Sequence, residues 1–237
     1  MNSPIRECWQ SAAHALALGQ ASFVADPLGA LYWPQERLVA VADLHLEKGS
    51  SYALRRVFLP PYDTATTLAA LSVLIARYAP RAVVALGDSF HDVGGGERLG
   101  SADRVLLARL QSGRDWIWIA GNHDPVLPAD LGGMRLAELE IGGILFRHKP
   151  EQGGGAEIAG HLHPTARVAG ATGSVRRRCF VTNGTRCVLP AFGAFAGGLN
   201  LRDRAFAGLF EPRDPIFAHV LGRERVYRVA WDQCLPD

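Results

Sequence analysis

Side chains that could bind metal ions or move protons occur at five places in the chain, each directly after a short apolar run. Six of the eight histidines of this 237-residue chain lie in these five clusters, and only His14 and His219 lie outside them. In chain order the clusters are Asp43 with His45, Asp88 with His91, Asn122 with His123 and Asp124, His148, and His161 with His163. A lone histidine is usually structural, but several histidines at the ends of separate runs favour one shared site.

The residue types in these clusters predict a centre with two metal ions. Imidazole and carboxylate ligands without thiolates suit Mn²⁺, Fe or Zn²⁺. Two cations close together need a bridging anion, for which Asp88 is the natural candidate. Two metal ions roughly 3.5–4 Å apart clamp the attacking and leaving oxygens of a phosphoryl displacement, and they lower the pKa of a bridging water. Hydroxide is then available near neutral pH.

The apolar runs predict the elements that position these side chains. Runs 38–42, 82–86 and 116–120 predict buried strands that deliver polar residues at their carboxyl ends, where open α/β sheets place their sites. Between them, helices are predicted over 62–78 and 101–110, which makes the strands parallel. Short strands separated by glycine turns follow over 135–141, 144–148, 157–160, 165–169, 179–183, 186–189, 216–221 and 225–231. We infer one parallel-rich sheet and one mixed sheet, with helices outside.

Composition limits the classes of protein that need be considered. With 48% hydrophobic and 20% charged residues the chain is typical of a globular protein, and a net charge of +2 excludes a general polycation. No linker divides it, so we expect a single domain over 1–237, with core motifs in 38–164 and a β-rich completion over 165–237. Residues 1–20 predict a weak helix or an extended lead-in. Four scattered cysteines argue against zinc–thiolate binding. Without a secretion signal or a run of ~20 apolar residues, we expect a cytoplasmic protein with no membrane partner.

The five clusters and their glycines resemble, in order, the five-block signature of the calcineurin-like binuclear metallophosphoesterase superfamily. The matching blocks are Asp43-x-His45, Gly87-Asp88, Gly121-Asn122-His123-Asp124, His148 and Gly160-His161-x-His163. The resemblance implies an α/β fold, a four-layer α/β/β/α sandwich with two mixed sheets and outer helices. It also implies ligand roles: Asp43, His45 and His163 hold the first metal ion, Asp88 bridges, and Asn122, His148 and His161 hold the second.

The same resemblance implies catalytic roles for two further residues. His123 would stabilise the transition state and help to protonate the leaving oxygen, and Asp124 would orient His123. One block departs from the common pattern, because many members continue the second block with Asp or Asn and then Arg or His. Here the corresponding residues are His91 and Asp92. Either they orient a metal-bound water or touch the phosphate, or they only satisfy each other.

A narrower resemblance links segments 43–51, 59–64, 87–92 and 189–200 to the bacterial ligase-associated DNA damage response endonucleases of the PdeM type. It implies a Mn²⁺-dependent phosphodiesterase that cuts DNA and is encoded alongside a ligase, a helicase and an exonuclease in a repair set. We therefore expect two divalent cations, Mn²⁺ first with Fe or Zn²⁺ as alternatives. The expected partner is DNA, with single-stranded DNA favoured.

The residues themselves say less about the substrate. The candidate substrate contacts are Lys48, Arg55, Arg56 and His91. The basic run 176–178 could also neutralise DNA phosphates, or it could be a solvated face. Phe192 and Phe195 could stack on bases or pack in the core. The alternative function is the same chemistry on a small nucleotide, a phosphoprotein or a lipid pyrophosphate. A non-catalytic scaffold is disfavoured, because all seven predicted ligands and His123 are present.

Overall fold

Two β-sheets face each other in the computed structural model, which describes residues 14–170, 173–211 and 213–237. The first sheet has seven strands whose spatial order follows the chain. They are β1 (His14–Leu18), β2 (Ala21–Ala25), β3 (Leu31–Trp33), β4 (Leu38–Val41), β5 (Ala82–Leu86), β6 (Asp115–Ile119) and β7 (Met134–Leu136). Strands β1 to β4 pair antiparallel, whereas β4 to β7 pair parallel. The carboxyl ends of the parallel strands therefore lie along one edge.

Four helices follow the parallel strands: α1 (Lys48–Leu54), α2 (Asp63–Tyr78), α3 (Gly95–Arg98) and α4 (Ser101–Gln111). Helix α2 buries Leu68, Leu71 and Leu74, which lie on one face at helical spacing. These leucines pack in one cluster with alternate residues of β4, β5 and β6, and with Leu107 and Leu110 of α4. The outer face of the first sheet is thus covered by α2 and α4.

The second sheet has nine strands and contains both parallel and antiparallel pairs. The strands are β8 (Leu139–Ile141), β9 (Ile144–Arg147), β10 (Ala156–Ala159), β11 (Pro164–Gly170), β12 (Gly173–Thr182), β13 (Arg186–Val188), β14 (Leu199–Asn200), β15 (Phe217–Leu221) and β16 (Val226–Ala230). The central path of the sheet runs β14-β11-β12-β13-β10-β9-β8, and β15 and β16 extend from β12.

Apolar layers hold the two sheets together and cover the second one. The central core joins residues such as Phe23, Trp33 and Leu86 of the first sheet to Phe146 and Phe180 of the second. Outside the second sheet, the 3₁₀ turns Arg204–Phe206 and Trp231–Gln233 contribute Phe206 and Trp231 to a separate cluster. The predicted α/β architecture of two mixed sheets with outer helices is confirmed.

The structure differs from the sequence expectations in several elements, among them α1, the run 135–141 and the lead-in over 1–20. Helix α1 was not predicted, because it buries only Gly49 and Ser51 and so has no apolar stripe. The run 135–141 was predicted as one strand, but its first part pairs with β6 and its last part with β9, in different sheets. The predicted lead-in over 1–20 forms β1 from residue 14 onward, and its earlier part lies outside the described residues.

Candidate metal centre

The first candidate metal site combines side chains that follow strands of both sheets. Asp43 and His45 follow β4, and His163 precedes β11. One ligand atom from each of these residues lies within 4.8 Å of the others. His45 Nε2 lies 3.3 Å from His163 Nε2, which in turn lies 3.3 Å from Asp43 Oδ1. Three potential ligand atoms therefore converge on one point.

The second candidate site lies at the ends of β5, β6, β9 and β10. One ligand atom from each of Asp88, His148 and His161 lies within 4.8 Å of the others. His148 Nε2 is 3.2 Å from His161 Nδ1 and 3.4 Å from Asp88 Oδ1. The side-chain oxygen of Asn122 lies 2.9 Å from the same His148 nitrogen. This set comprises two imidazoles, one carboxylate and one amide oxygen.

The tautomer of His148 shows that the second set fits a cation. His148 Nδ1 lies 2.9 Å from the carbonyl oxygen of Leu86, which can only accept a hydrogen bond. The proton of the neutral ring is therefore on Nδ1, and Nε2 directs a lone pair toward the oxygens of Asn122 and Asp88. Lone pairs that converge in this way repel one another unless a cation lies between them. A main-chain acceptor behind a histidine ligand is typical of metal sites.

The two sets lie next to each other, with the buried carboxylate of Asp43 close to both. Its Oδ2 accepts a hydrogen bond from the main-chain N–H of His161 at 3.0 Å, and its Oδ1 lies 3.8 Å from His148 Nδ1. Asp88 is buried as well. The structure thus brings all seven sequence-predicted ligands into one continuous centre, without fixing which carboxylate bridges.

Unusual backbone conformations position these ligands. Positive φ angles occur at Asp43 (54°), His45 (44°), Asp88 (45°), His161 (70°) and His163 (46°). Such angles are uncommon for residues other than glycine and cluster at functional sites, where surrounding structure compensates their cost. Close packing supports the same turns: a Cβ atom on Gly121 would lie 2.1 Å from the main-chain nitrogen of Asp88. The site therefore depends on the loop backbones as much as on the side chains.

Electrostatics favour the neutral, metal-binding form of two of the ligand histidines. Burial and the neighbouring His163 lower the pKa of His45 to about 2. Burial and the neighbouring His148 lower the pKa of His161. Burial also opposes the charged form of His163, but the hydrogen bond and charge of Asp43 outweigh it and raise that pKa. A neutral imidazole is the metal-binding form. His45 and His161 therefore do not have to release a proton at neutral pH before they bind a cation.

His123 lies at the edge of this centre, with its side chain 42% exposed. Its main-chain N–H donates to Asp88 Oδ1 at 2.9 Å, and its ring Nε2 lies 3.9 Å from Asp88 Oδ2. Its ring Nδ1 lies 2.9 Å from the carbonyl oxygen of His91. The ring is thereby fixed beside the candidate metal sites, with Nε2 on the side that faces them.

Asp124 makes a different contact from the one expected of it. Its buried carboxylate accepts a hydrogen bond from the main-chain N–H of Phe90 at 2.9 Å. Burial raises its pKa to about 7, although hydrogen bonds from the main chain of Phe90, Ser89 and Gly121 oppose the rise. The family resemblance implies that Asp124 orients His123, but the ring of His123 donates its Nδ1 hydrogen bond to the main-chain carbonyl oxygen of His91. Sequence alone gives no signal for such a main-chain contact.

The candidate substrate contacts lie on one side of the centre. The ring of His91 lies 5.6 Å from that of His123 and 5.5 Å from that of Tyr52. Asp92 forms an ion pair with Arg98 at 2.8 Å, so it does not serve merely to satisfy His91. Lys48 is half-buried, and its Nζ donates to the carbonyl oxygen of Phe195 at 2.9 Å. Arg55 and Arg56 are exposed at the end of α1.

The other basic and aromatic candidates divide between surface and interior. Arg178 is half-buried and donates to the carbonyl oxygen of Ala191, whereas Arg176 and Arg177 are exposed on β12. Phe192 packs in the core beneath the helices, but Phe195 is exposed. Within the described part of the chain, none of the helices is long and apolar enough to cross a membrane.

Comparisons with known proteins agree with this geometry. The sequence matches the family model described as "Calcineurin-like phosphoesterase" over residues 36–174, more than half of the chain. The fold is similar to that of the Pseudomonas putida nuclease MPE, with a TM-score of 0.72 and 26% sequence identity, covering 92% of this chain and 100% of that chain. This similarity confirms the predicted sandwich fold.

A second solved structure is that of a conserved uncharacterised protein, a predicted phosphoesterase, from Streptococcus pneumoniae. It is 12% identical with a TM-score of 0.32, covering 81% of this chain and 96% of that chain. A TM-score this low carries no argument about fold or function. Comparison with curated proteins found no match.

Proposed function

This chain belongs to the calcineurin-like phosphoesterase family, and from that premise we propose that it is a nuclease that hydrolyses phosphodiester bonds in DNA with two divalent cations. Family membership and the two His/Asp clusters make it a binuclear metallophosphoesterase. That the substrate is DNA is the part of the proposal that goes beyond family membership. It is supported by the similarity to the Pseudomonas putida nuclease and by the basic side chains beside the centre.

The observation that carries the proposal is that two ligand sets lie next to each other, with the buried carboxylate of Asp43 close to both. Asp43, His45 and His163 form one set, and Asp88, His148 and His161 form the other. In the proposal Asn122 completes the second set and Asp88 bridges the two. Two bound cations supply Lewis acidity toward the phosphate and make a water nucleophilic near neutral pH.

His123 is the proposed general acid for the leaving oxygen. Its Nδ1 is engaged by the carbonyl oxygen of His91, so only Nε2 can exchange a proton with a substrate. Partial exposure allows Nε2 to reach a phosphodiester that approaches from solvent. Asp124 supports this arrangement indirectly, since its carboxylate fixes the main chain at Phe90, directly before His91.

Positive charge beside the centre supports a polyanionic substrate. Lys48 is half-buried next to His45 and His91, and Arg55 and Arg56 extend into solvent at the end of the same helix. Cationic side chains near a cleavage site neutralise phosphates on either side of the scissile bond. We propose Mn²⁺ as the working metal and DNA repair in the cytoplasm as the setting, in functional association with a ligase, a helicase and an exonuclease.

The test is cleavage of end-labelled single-stranded and double-stranded oligonucleotides by the metal-free protein, with and without added Mn²⁺. We expect cleavage only with metal, faster on the single strand, and none by Asp88→Asn, whose metal content should also fall. A parallel panel contains a cyclic nucleotide and a phosphomonoester. Hydrolysis of those small substrates without cleavage of any oligonucleotide would overturn the DNA proposal and leave the metallophosphoesterase in place.

A further inference from the structure

The segment that follows β13, residues 192–198, forms a wall of the first candidate metal site. The N–H of Gly193 donates to the carbonyl oxygen of Asp43 at 3.1 Å, and the N–H of Leu199 donates to the carbonyl oxygen of His163 at 3.1 Å. A Cβ atom on Gly193 would lie 2.1 Å from the carbonyl oxygen of Leu44. Both ends of this wall are therefore fixed to segments that carry metal ligands.

Phe195 is the one large side chain in the middle of this wall, where its neighbours are glycine and alanine. It is 52% exposed, and its φ angle is +59°. A bulky residue in the left-handed region is strained, and an exposed phenyl ring contributes little to burial. Strain at a residue that is only about half buried indicates that the ring is held there for another purpose.

Lys48 joins Phe195 to the metal centre. Its ammonium donates to the carbonyl oxygen of Phe195 at 2.9 Å, and its charge acts on both His45 and His91. An ammonium has three donors, so one contact to the wall leaves two for a phosphate. The phenyl ring, the cation and the metal ligands thus follow one another along the edge of the site.

A cleft of about 260 Å³ opens beside the ring, with Thr66, Ala70 and Ala196 in its lining. This volume is slightly below the roughly 300–1,000 Å³ typical of small-molecule pockets. It is suited to one small planar group rather than to a whole ligand. The ring therefore has open space next to it, between the segment 192–198 and helix α2.

We propose that Phe195 determines specificity by stacking on an unpaired nucleobase next to the scissile phosphate, while Lys48 contacts that phosphate. The inference rests on the proposed nuclease function and narrows its substrate to a phosphodiester that carries an accessible base. Stacking on aromatic side chains is tolerant of base identity and is typical of proteins that bind single strands. A base within a duplex is already stacked and paired, so it must be extruded before it can reach the ring.

The test compares two single-stranded oligonucleotides of equal length, one with bases and one abasic throughout. For each, kcat/KM is measured with Mn²⁺ for the wild type, Phe195→Leu and Phe195→Tyr. Tyr227→Leu, an aromatic side chain on β16 that is 48% exposed, is the matched control. The wild type should prefer the oligonucleotide with bases by about five-fold or more. Phe195→Leu should lose this preference, whereas Phe195→Tyr and the control should keep it.

The outcomes separate this inference from the function on which it rests. If the wild type cuts the oligonucleotide and Phe195→Leu retains the full preference for bases, Phe195 has no stacking role. If the wild type cuts neither oligonucleotide but hydrolyses a phosphomonoester, the nuclease proposal itself is overturned. Leucine has no additional strain at this φ angle beyond that of phenylalanine, and the metal content of each variant confirms that the centre is intact.

Discussion

The carbonyl oxygen of His91 lies 2.9 Å from Nδ1 of His123 and so fixes one tautomer of that ring. The backbone of the same residue is also anchored, because the main-chain N–H of His123 donates to the carboxylate of Asp88. Because the acceptor belongs to the main chain, the orientation of the His123 ring does not depend on which side chain is present at position 91. The proposed proton donor is thus tied to the metal centre through the backbone of two separate loops.

Replacement of His123 by alanine should reduce kcat by about 10²–10⁴-fold with little change in metal content, because the ring is the proposed acid and not a ligand. His91→Ala keeps the carbonyl group and should reduce the rate less. Single-turnover cleavage of an oligonucleotide, together with metal analysis, measures both effects. A wild-type rate for His123→Ala, or loss of its metal, would contradict the role assigned to this ring.

Replacement of Gly121 by alanine should damage the metal centre although position 121 has no ligand. The new Cβ atom would lie 2.1 Å from the nitrogen and 2.3 Å from Oδ1 of Asp88, so that loop must move. We expect weaker Mn²⁺ binding and a loss of about 1–3 kcal/mol in the free energy of unfolding. Gly155→Ala is the control, since its Cβ atom would meet nothing within 4 Å. Equal behaviour of the two variants in calorimetric titration would refute the packing argument.

Asp124 should make the stability of the metal-free protein depend on pH. Burial raises the pKa of this carboxyl from 3.8 to about 7, so the folded chain retains a proton that the unfolded chain releases. Its stabilising contribution is therefore complete below about pH 4 and is lost as the pH rises through 7. Asp124→Asn, which stays neutral, should lack this slope. Urea unfolding between pH 4.5 and 7.5 checks the difference, and parallel curves for the two proteins would disprove it.

Arg55 and Arg56 should contribute to DNA affinity through phosphate charge alone. The logarithm of the DNA association constant falls as the logarithm of the salt concentration rises. Each substitution by alanine should make this slope less steep by about 0.7 for single-stranded DNA. Binding is measured by fluorescence anisotropy in the His123→Ala background, so that the oligonucleotide stays intact. Arg223→Ala, at the exposed turn between β15 and β16, should leave the slope unchanged. An unchanged slope for all three variants would show that Arg55 and Arg56 do not contact the phosphates of bound DNA.

Much of the centre could be predicted because each ligand directly follows a buried strand. Asp43 and Asp88 lie just beyond β4 and β5, and parallel pairing places those ends side by side. The glycine before Asp88 marks the turn, since only a residue without a side chain fits against the ring of His148. Residue type and position relative to a strand are both properties of the sequence.

The contacts that could not be predicted all involve the main chain or distant pairing. The family resemblance implied a contact between Asp124 and His123, but the carboxylate turns inward to the N–H of Phe90. The break in the run 135–141 is set by pairing with β6 and β9, which local alternation does not reveal. Nor does the sequence show that Lys48 and Phe195, far apart in the chain, meet through a carbonyl group.

Each candidate metal site draws ligands from both sheets, and this division has a consequence for how activity arises during synthesis. Asp43, His45, Asp88 and Asn122 come earlier in the chain, whereas His148, His161 and His163 come later. A partly synthesised or truncated polypeptide that ends before His148 therefore lacks a complete ligand set for either site. A cation bound at either site would connect the two sheets, so metal binding should add to the stability of the folded protein.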